Sequence, residues 1–514
     1  MYKVHVAFGF HVNLYHSFRG DTPDDRGFGG DIRVIRRTIE VMDDYNRRGI
    51  PVKGTWDFEN VYSLERILPE YAPDIIENVR RRSQENGDEN ILMGYNNGAL
   101  GAMTQDEFEA SIRLAITNPA RSGLQDVFGG YAPLVRPQEM IFTPGNAALY
   151  TQMGIEGLCL YYSGIQFDGF RTLIPLLDEE AMFNPLRYHH GESSISIIPT
   201  LNNGDLLDYG SLSYLVKRLH KRQRQGEIKD DVLVFINMDA DSELWYGLKM
   251  PPIVRRMPNM GGLAGLLSEI GNMDCVVFDT PWNYLKTHSP KRDVSFGHDL
   301  ADGNFDGFSS WSEKPFNRLI WTRLDRTRAF SRAGSADAGF DERVRLLSTT
   351  HFGLSSPVLN VQRESAALQL SEDMQEKALA ALPESKTTVL LTEDAPGLFS
   401  ATLTFEQGYL SAGSGVSVEA DGLLHYGLLP LRYHMDASVA QALLLGRFST
   451  AGKNRTIQIS AAEMESPVET TDLEVVPGGA HGIQAIKRNG KVIAREDFLT
   501  GFITYDGRKY PVVY

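Results

Sequence analysis

Arg136-Pro137-Gln138-Glu139-Met140-Ile141-Phe142-Thr143-Pro144 is followed by a helical run to Gly154 and by the apolar stretch from Ile155 to Ser163. A carboxylate at a strand end, then a helix, then the next strand is how α/β barrels and open α/β sheets present their chemistry. Glu139 is therefore the first candidate for a reacting group.

The same rhythm surrounds this stretch on both sides. Val4 to Phe10 reads as a strand, Asp31 to Arg48 as an amphipathic helix, Val52 to Phe58 as a strand, Leu64 to Asn86 as helical and Ile91 to Met93 as a short strand. Thr104 with Glu107 three residues on forms a capping box that opens another helix. Ser211 to Gln225 is a helix with a basic outer face, and the continuous apolar run Asp231 to Met238 is a buried strand that delivers Asp239 to its carboxyl end. Repeated β-then-α order predicts a parallel sheet, and the number of units predicts a distorted (β/α)7-type barrel over residues 1–290. A helical region is expected over 291–385. Short β-like runs separated by turns such as Arg488-Asn489-Gly490 and Tyr505-Asp506-Gly507 predict an antiparallel β-sandwich over 386–514.

Composition narrows the function. With 514 residues, 42% of them hydrophobic and 23% charged, the chain is a soluble globular protein of two or three domains. A net charge of −15 argues against a nucleic-acid partner, which needs concentrated Lys and Arg. No apolar run approaches the roughly 20 residues that span a bilayer, so no membrane partner is expected. The opening Met1-Tyr2-Lys3-Val4-His5-Val6-Ala7-Phe8 is already strand-like, which points to a cytoplasmic protein. The two cysteines, Cys159 and Cys275, sit in separate apolar segments and are expected to be free thiols. A homo-oligomer is compatible with all of this.

Glu139 and Asp239 form a pair of carboxylates at predicted strand ends. Glycoside hydrolysis needs such a pair: one group attacks or supports the anomeric carbon, the other donates a proton to the leaving oxygen. Among 66 acidic residues a pair of this kind also arises by chance, so it does not decide the function alone. His11 after the first strand, together with His16, Arg19 and Asp21, is a candidate lining of the cleft. Either Asp57 or Glu59, at the end of the second strand, is a candidate to face it. Tyr161, Tyr162, Trp245, Trp282 and Trp311 are candidate sugar-stacking faces, with Trp245 and Trp282 the best placed.

These motifs resemble glycoside hydrolase family 57. His11-Val12-Asn13, the Glu139 stretch with Pro144 and Gly154-Ile155-Glu156, and Asn237-Met238-Asp239-Ala240-Asp241-Ser242-Glu243-Leu244-Trp245 fall in the family's order, and Gly87 to Tyr95 is similar to its second motif. The resemblance covers about residues 1–330. It implies a retaining α-glycosidase or transglycosylase acting on an oligo- or polysaccharide without a cofactor or metal. In it Glu139 is the nucleophile, Asp239 the acid/base, with Glu139 ionised and Asp239 protonated at the outset, and His11 a sugar ligand. The sequence departs from the family pattern at Asn13, in place of a proline, at Asn96-Asn97, and at Asp241, in place of a glutamate. Asp241 is consequently a second candidate for the acid. Two other classes stay open: a metal-dependent carbohydrate enzyme of the family 38 α-mannosidase or polysaccharide deacetylase type, with His5, His11, Asp57 and His351 as convergent ligands, and a catalytically silent sugar-binding protein.

Overall fold

The structure is a computed structural model describing residues 2–14, 28–162, 177–247, 259–297 and 299–301, and beyond them only separate helical and strand segments up to residue 511. The chain divides by contact into two compact units, Met1–Asn317 with Asp341–Ala367, and Arg318–Phe340 with Leu368–Tyr514.

The first unit is built on strands β1 (Val4–Val12), β2 (Gly54–Phe58), β3 (Glu89–Leu92), β4 (Ala132–Val135), β5 (Gly157–Tyr161), β6 (Leu186–His190), β7 (Ser193–Thr200), β8 (Val232–Asp239), β9 (Val276–Phe278) and β10 (Arg292–Val294). They form one sheet in the order β10-β6-β7-β5-β4-β3-β2-β1-β8, with β9 beside the first half of β1. Every pairing in it is parallel except β6 with β7. Leu201 donates its N–H to Phe235 and its carbonyl accepts from the N–H of Asn237, so the end of β7 is tied to β8. That bond pair joins the two ends of the parallel run β7-β5-β4-β3-β2-β1-β8, which gives the barrel-like ring of seven strands that the sequence rhythm predicts.

Side-chain parity decides what the ring encloses. Strands place alternate residues on opposite faces, and β1 is paired with β8 as His5 with Leu233, Ala7 with Phe235, Gly9 with Asn237 and His11 with Asp239. Ala7, Leu233 and Phe235 share one buried cluster with Ile91, Ala132, Leu134, Cys159, Ile198 and Tyr284. This cluster is the packed barrel interior. Gly9 is required there, because a Cβ at that position would lie 2.8 Å from Asn237 Cγ and 2.9 Å from Phe235 Cε2.

The opposite face of β1 carries Val4, Val6, Phe8 and Phe10, all fully buried. The helix Phe28–Arg47, with Ile32, Ile35, Ile39 and Met42 buried at helical spacing, is one of those connecting the strands. The helix Gln105–Ile116 starts with the expected box, Thr104 N–H donating to Glu107 at 2.9 Å. Glu107 is shared, since its carboxylate also takes the Arg343 guanidinium in a buried ion pair. Between β2 and β3 the single expected helix is three pieces, Asn60–Ile67, Leu68–Tyr71 and Pro73–Glu85; Pro73 starts the last piece because a proline has no N–H to continue the preceding turn.

The second unit takes in residues 368–380 of the helix Val361–Ala380 and strands that pair antiparallel except Thr387–Ala395 with Val468–Glu469, which are parallel. Leu428–Met435, Ala440–Gly446, Leu398–Phe405, Thr387–Ala395 and Val468–Glu469 form one sheet in that order. Leu473–Pro477, Ile483–Arg488, Lys491–Asp497, Phe502–Tyr505 and Arg508–Pro511 form a meander in chain order.

Candidate active site

The register brings the sequence candidates together at the carboxyl ends of the strands. His11 on β1 is paired with Asp57 of β2 on one side and with Asp239 of β8 on the other. Parallel partners point to the same face, so all three project inward in a single layer. Asp57 resolves the choice left open by alternation: it is fully buried and its Oδ2 takes the Nδ1 of His11. That bond leaves His11 Nε2 and Asp57 Oδ1 buried without a partner among the described residues. Asp239, the last residue of β8, is solvent-accessible.

Arg136 is a further candidate that the sequence motifs do not single out. It follows β4 by one position and continues the inward parity of Ala132 and Leu134 into the site. It is 4% exposed, and its Nε and Nη1 have no partner among the described residues. Burial works to lower the pKa of the guanidinium, but Tyr161, Asp57, Asp239 and Glu139 around it outweigh that and raise it. The same four groups locate it: one buried cation lies within electrostatic reach of every carboxylate so far assigned to the site. Asn237 and Thr200 are also buried, and Asn237 Oδ1 and Nδ2 and Thr200 Oγ1 are likewise unpaired among the described residues. Buried polar atoms are normally bonded. Orphans of both hydrogen-bond signs, gathered at one end of the strands, fit a ligand rich in hydroxyl groups, each of which donates and accepts.

Glu139 lies in a single 3-10 turn, Gln138–Met140, four residues beyond the end of β4 rather than at its last position. Its φ of 51° and ψ of 29° put it in the left-handed region, and Met140 follows with φ 54°. For residues with a Cβ this conformation costs roughly 1–2 kcal/mol each, and such strain concentrates where a side chain must be aimed. Gln138 Nε2 donates to Glu139 Oε1 at 3.1 Å, and reciprocal backbone bonds between Phe142 and Leu300 anchor the segment just after it. A second left-handed pair, Asn96 and Asn97, occurs after β3; both are buried, and Asn97 Nδ2 donates to Asn13 Oδ1 at 2.9 Å at the end of β1. The positions that depart from the family motif, Asn13 and Asn97, thus bond to each other. Asp241 occupies the turn after β8 and is half-buried.

Three candidates are elsewhere. Glu59 is fully buried, and its carboxylate accepts from the N–H groups of Val61, Tyr62 and Ser63 at 2.5, 2.7 and 2.7 Å, which makes it the cap of the helix Asn60–Ile67. Burial raises its pKa to about 7 against those bonds. Trp245 packs on the outer face of the sheet, 4.9 Å from Phe10 and 6.1 Å from Phe8 between ring centroids, with its indole N–H on the Asp239 carbonyl. It is core, and presents no face to a sugar. Trp282 follows β9, which pairs only with Val4 to Val6 at the beginning of β1. The helix Pro281–Thr287 therefore lies at the amino ends of the strands, where Trp282 packs on the interior cluster and bonds Glu89. The expected convergence of His5 with His11 does not occur either, since six residues of strand put them about 20 Å apart. His16, Arg19, Asp21, Trp311 and His351 lie outside the described residues.

The chain is a β/α-barrel protein with charged and buried polar side chains gathered at the carboxyl ends of its strands. No family model and no curated protein sequence matches it. Solved structures do. It is similar to a 4-alpha-glucanotransferase from Thermococcus litoralis, at 15% identity and TM-score 0.52, over 79% of this chain and 65% of that one. It is also similar to glycoside hydrolase family 57 branching enzymes from Thermococcus kodakaraensis, at 12% identity and TM-score 0.53, and Pyrococcus horikoshii, at 11% and 0.50. These cover 74% of this chain and 90% and 88% of the respective enzymes. The barrel fold is thus the one found in family 57 enzymes, while the chain spans less than two thirds of the glucanotransferase.

Proposed function

We propose that this chain is a divergent member of glycoside hydrolase family 57 that cleaves α-glycosidic bonds of an oligo- or polysaccharide by double displacement, with retention. The observation that carries the reading is the layer His11–Asp57–Asp239 with Arg136 set among Asp57, Asp239 and Glu139. Glu139 attacks the anomeric carbon and forms a glycosyl ester, while Asp239 gives its proton to the departing oxygen. Asp239 then removes a proton from water, or from a sugar hydroxyl in transglycosylation, and that oxygen displaces Glu139. His11, held by Asp57, donates or accepts at a sugar hydroxyl through Nε2, and Arg136 supplies the fixed positive charge that keeps three acidic side chains together. The reaction itself uses no cofactor or metal. The division into 1–290, 291–385 and 386–514, a face-to-face packing of the C-terminal sheets as a sandwich, and a cytoplasmic location belong to the same proposal; among the described residues no helix is long and apolar enough to cross a membrane.

The test is hydrolysis of a panel of aryl α- and β-glycosides by wild type and Glu139→Gln, with and without a chelator. Chelator-resistant cleavage of an α-glycoside that disappears in the variant is the expected result. Cleavage that survives in the variant, or that is confined to β-glycosides, overturns the assignment.

A further inference from the structure

At the amino ends of the strands, opposite the candidate active site, His5, Asp231 and His288 each offer one ligand atom, and the three atoms lie within 4.8 Å of one another. The Nε2 atoms of His5 and His288 are 3.5 and 3.4 Å from the same oxygen, Asp231 Oδ2. Both separations are longer than an ordinary N–H···O bond, which runs 2.7–3.2 Å. They match the edge of a coordination tetrahedron: two ligand atoms each ~2.1 Å from a shared zinc ion lie ~3.4 Å apart.

The remaining atoms of the three side chains are committed in the way a metal site needs. His5 Nδ1 is 2.9 Å from Asp279 Oδ2. His288 Nδ1 is 3.2 Å from the Tyr284 carbonyl and 2.9 Å from Thr287 Oγ1. An oxygen acceptor on Nδ1 fixes the tautomer with its lone pair on Nε2, the carboxylate–histidine arrangement found behind metal ligands. Asp231 Oδ1 takes the Lys3 N–H at 2.7 Å, which leaves Oδ2 for the ion. Asp279 is itself held by the Thr280 N–H at 2.9 Å and by Asn283 Nδ2 at 2.7 Å, with Lys53 Nζ at 3.4 Å. The His288 ring is stacked on Tyr284 at 3.9 Å and 6°. The three ligands keep 12%, 26% and 15% side-chain exposure, which provides an entry path and room for a water as fourth ligand.

We propose that His5, Asp231 and His288 bind a divalent transition metal of the zinc class. The site joins the start of β1, the start of β8 and the end of the helix Pro281–Thr287. It closes the amino end of the barrel and takes no part in the chemistry at the other end.

The test uses untagged full-length protein stripped with chelator and then titrated with Zn2+ by calorimetry, with Co2+ as a spectroscopic probe. One equivalent of Zn2+ should bind and raise the melting temperature, and Co2+ should give the visible absorption of a tetrahedral site. Asp279→Asn should weaken binding 10–100-fold. His288→Ala and Asp231→Asn should abolish the Co2+ spectrum and the Zn2+-dependent rise in melting temperature. Should one variant fold poorly, the other carries the test, with the metal-free melting curve as the control. No Zn2+ binding by wild type, or binding unchanged in His288→Ala and Asp231→Asn, would overturn the proposal in favour of a plain charge network. Glycosidase activity is not the readout, so failure at this site leaves the reading of Glu139 and Asp239 untouched.

Discussion

Arg136→Met is the perturbation with the widest consequences. The substitution keeps a long side chain but withdraws a buried cation that interacts with Asp57, Asp239 and Glu139. Two terms oppose each other. Removing Nε and Nη1 relieves two unpaired buried donors, worth about 1–3 kcal/mol each. Leaving a buried carboxylate such as Asp57 without its countercharge costs about 3–5 kcal/mol, and here three acidic groups share the cation. On these figures the two terms nearly offset, about 3–5 kcal/mol lost against about 2–6 kcal/mol relieved, so the net change in stability lies within about 3 kcal/mol of zero. At about 2 °C per kcal/mol for a unit of this size, the melting temperature should move by no more than about 6 °C. The loss in kcat/KM is the decisive effect. A charge-assisted bond to a substrate oxygen contributes about 1.5–3 kcal/mol, so losing one reduces kcat/KM roughly 10- to 150-fold. Arg136→Lys should not restore it, since a single ammonium cannot present two N–H groups in a plane. Differential scanning calorimetry and steady-state kinetics on the best glycoside measure both effects. A variant as active as wild type would refute the central placement of Arg136.

Other expectations rest on single contacts. Gly9→Ala forces a methyl to within 2.8–2.9 Å of Asn237 and Phe235, and should cost about 1–3 kcal/mol in urea unfolding; an unchanged midpoint would mean that the barrel interior is packed differently. Burial raises the pKa of Glu89 from 4.5 to about 7, so its contribution to stability is complete below about pH 4.5 and lost as pH rises through 7. Glu89→Gln removes that slope, and the stability difference should move in favour of the variant by about 3 kcal/mol between pH 4.5 and 8; parallel curves would contradict it. Asp239→Asn should slow glycosides with poor leaving groups far more than activated ones. If Asp241→Asn shows that profile instead, the acid lies two residues further on.

Much of this is legible from periodicity. The β-then-α order, the capping box at Thr104 and the delivery of Asp239 by a buried strand all depend on local pattern, and each is present in the structure. Periodicity fails where a side chain's direction depends on exact strand limits or on partners distant in sequence. Alternation cannot choose between Asp57 and Glu59, because the choice rests on which carboxylate the N–H groups of Val61, Tyr62 and Ser63 capture. Trp282 resembles a cleft residue because Val276–Phe278 looks like a barrel strand; the pairing of that strand with only the first residues of β1 places the helix Pro281–Thr287 at the other end. Arg136 does carry a signal, since with Ala132 and Leu134 it shares the inward parity of β4. The cluster of His5, Asp231 and His288 has no local signature at all, since 57 and 226 residues separate its members and only the closed fold brings them together.

In the proposed mechanism Glu139 becomes covalently glycosylated. Incubating the protein with an activated α-glycosyl fluoride that forms the intermediate faster than it hydrolyses, then digesting and sequencing by mass spectrometry, tests it directly. One sugar residue is expected on Glu139 within the peptide around Pro137 to Pro144, absent in Glu139→Gln. A sugar attached at another carboxylate, or turnover without any adduct, would contradict it.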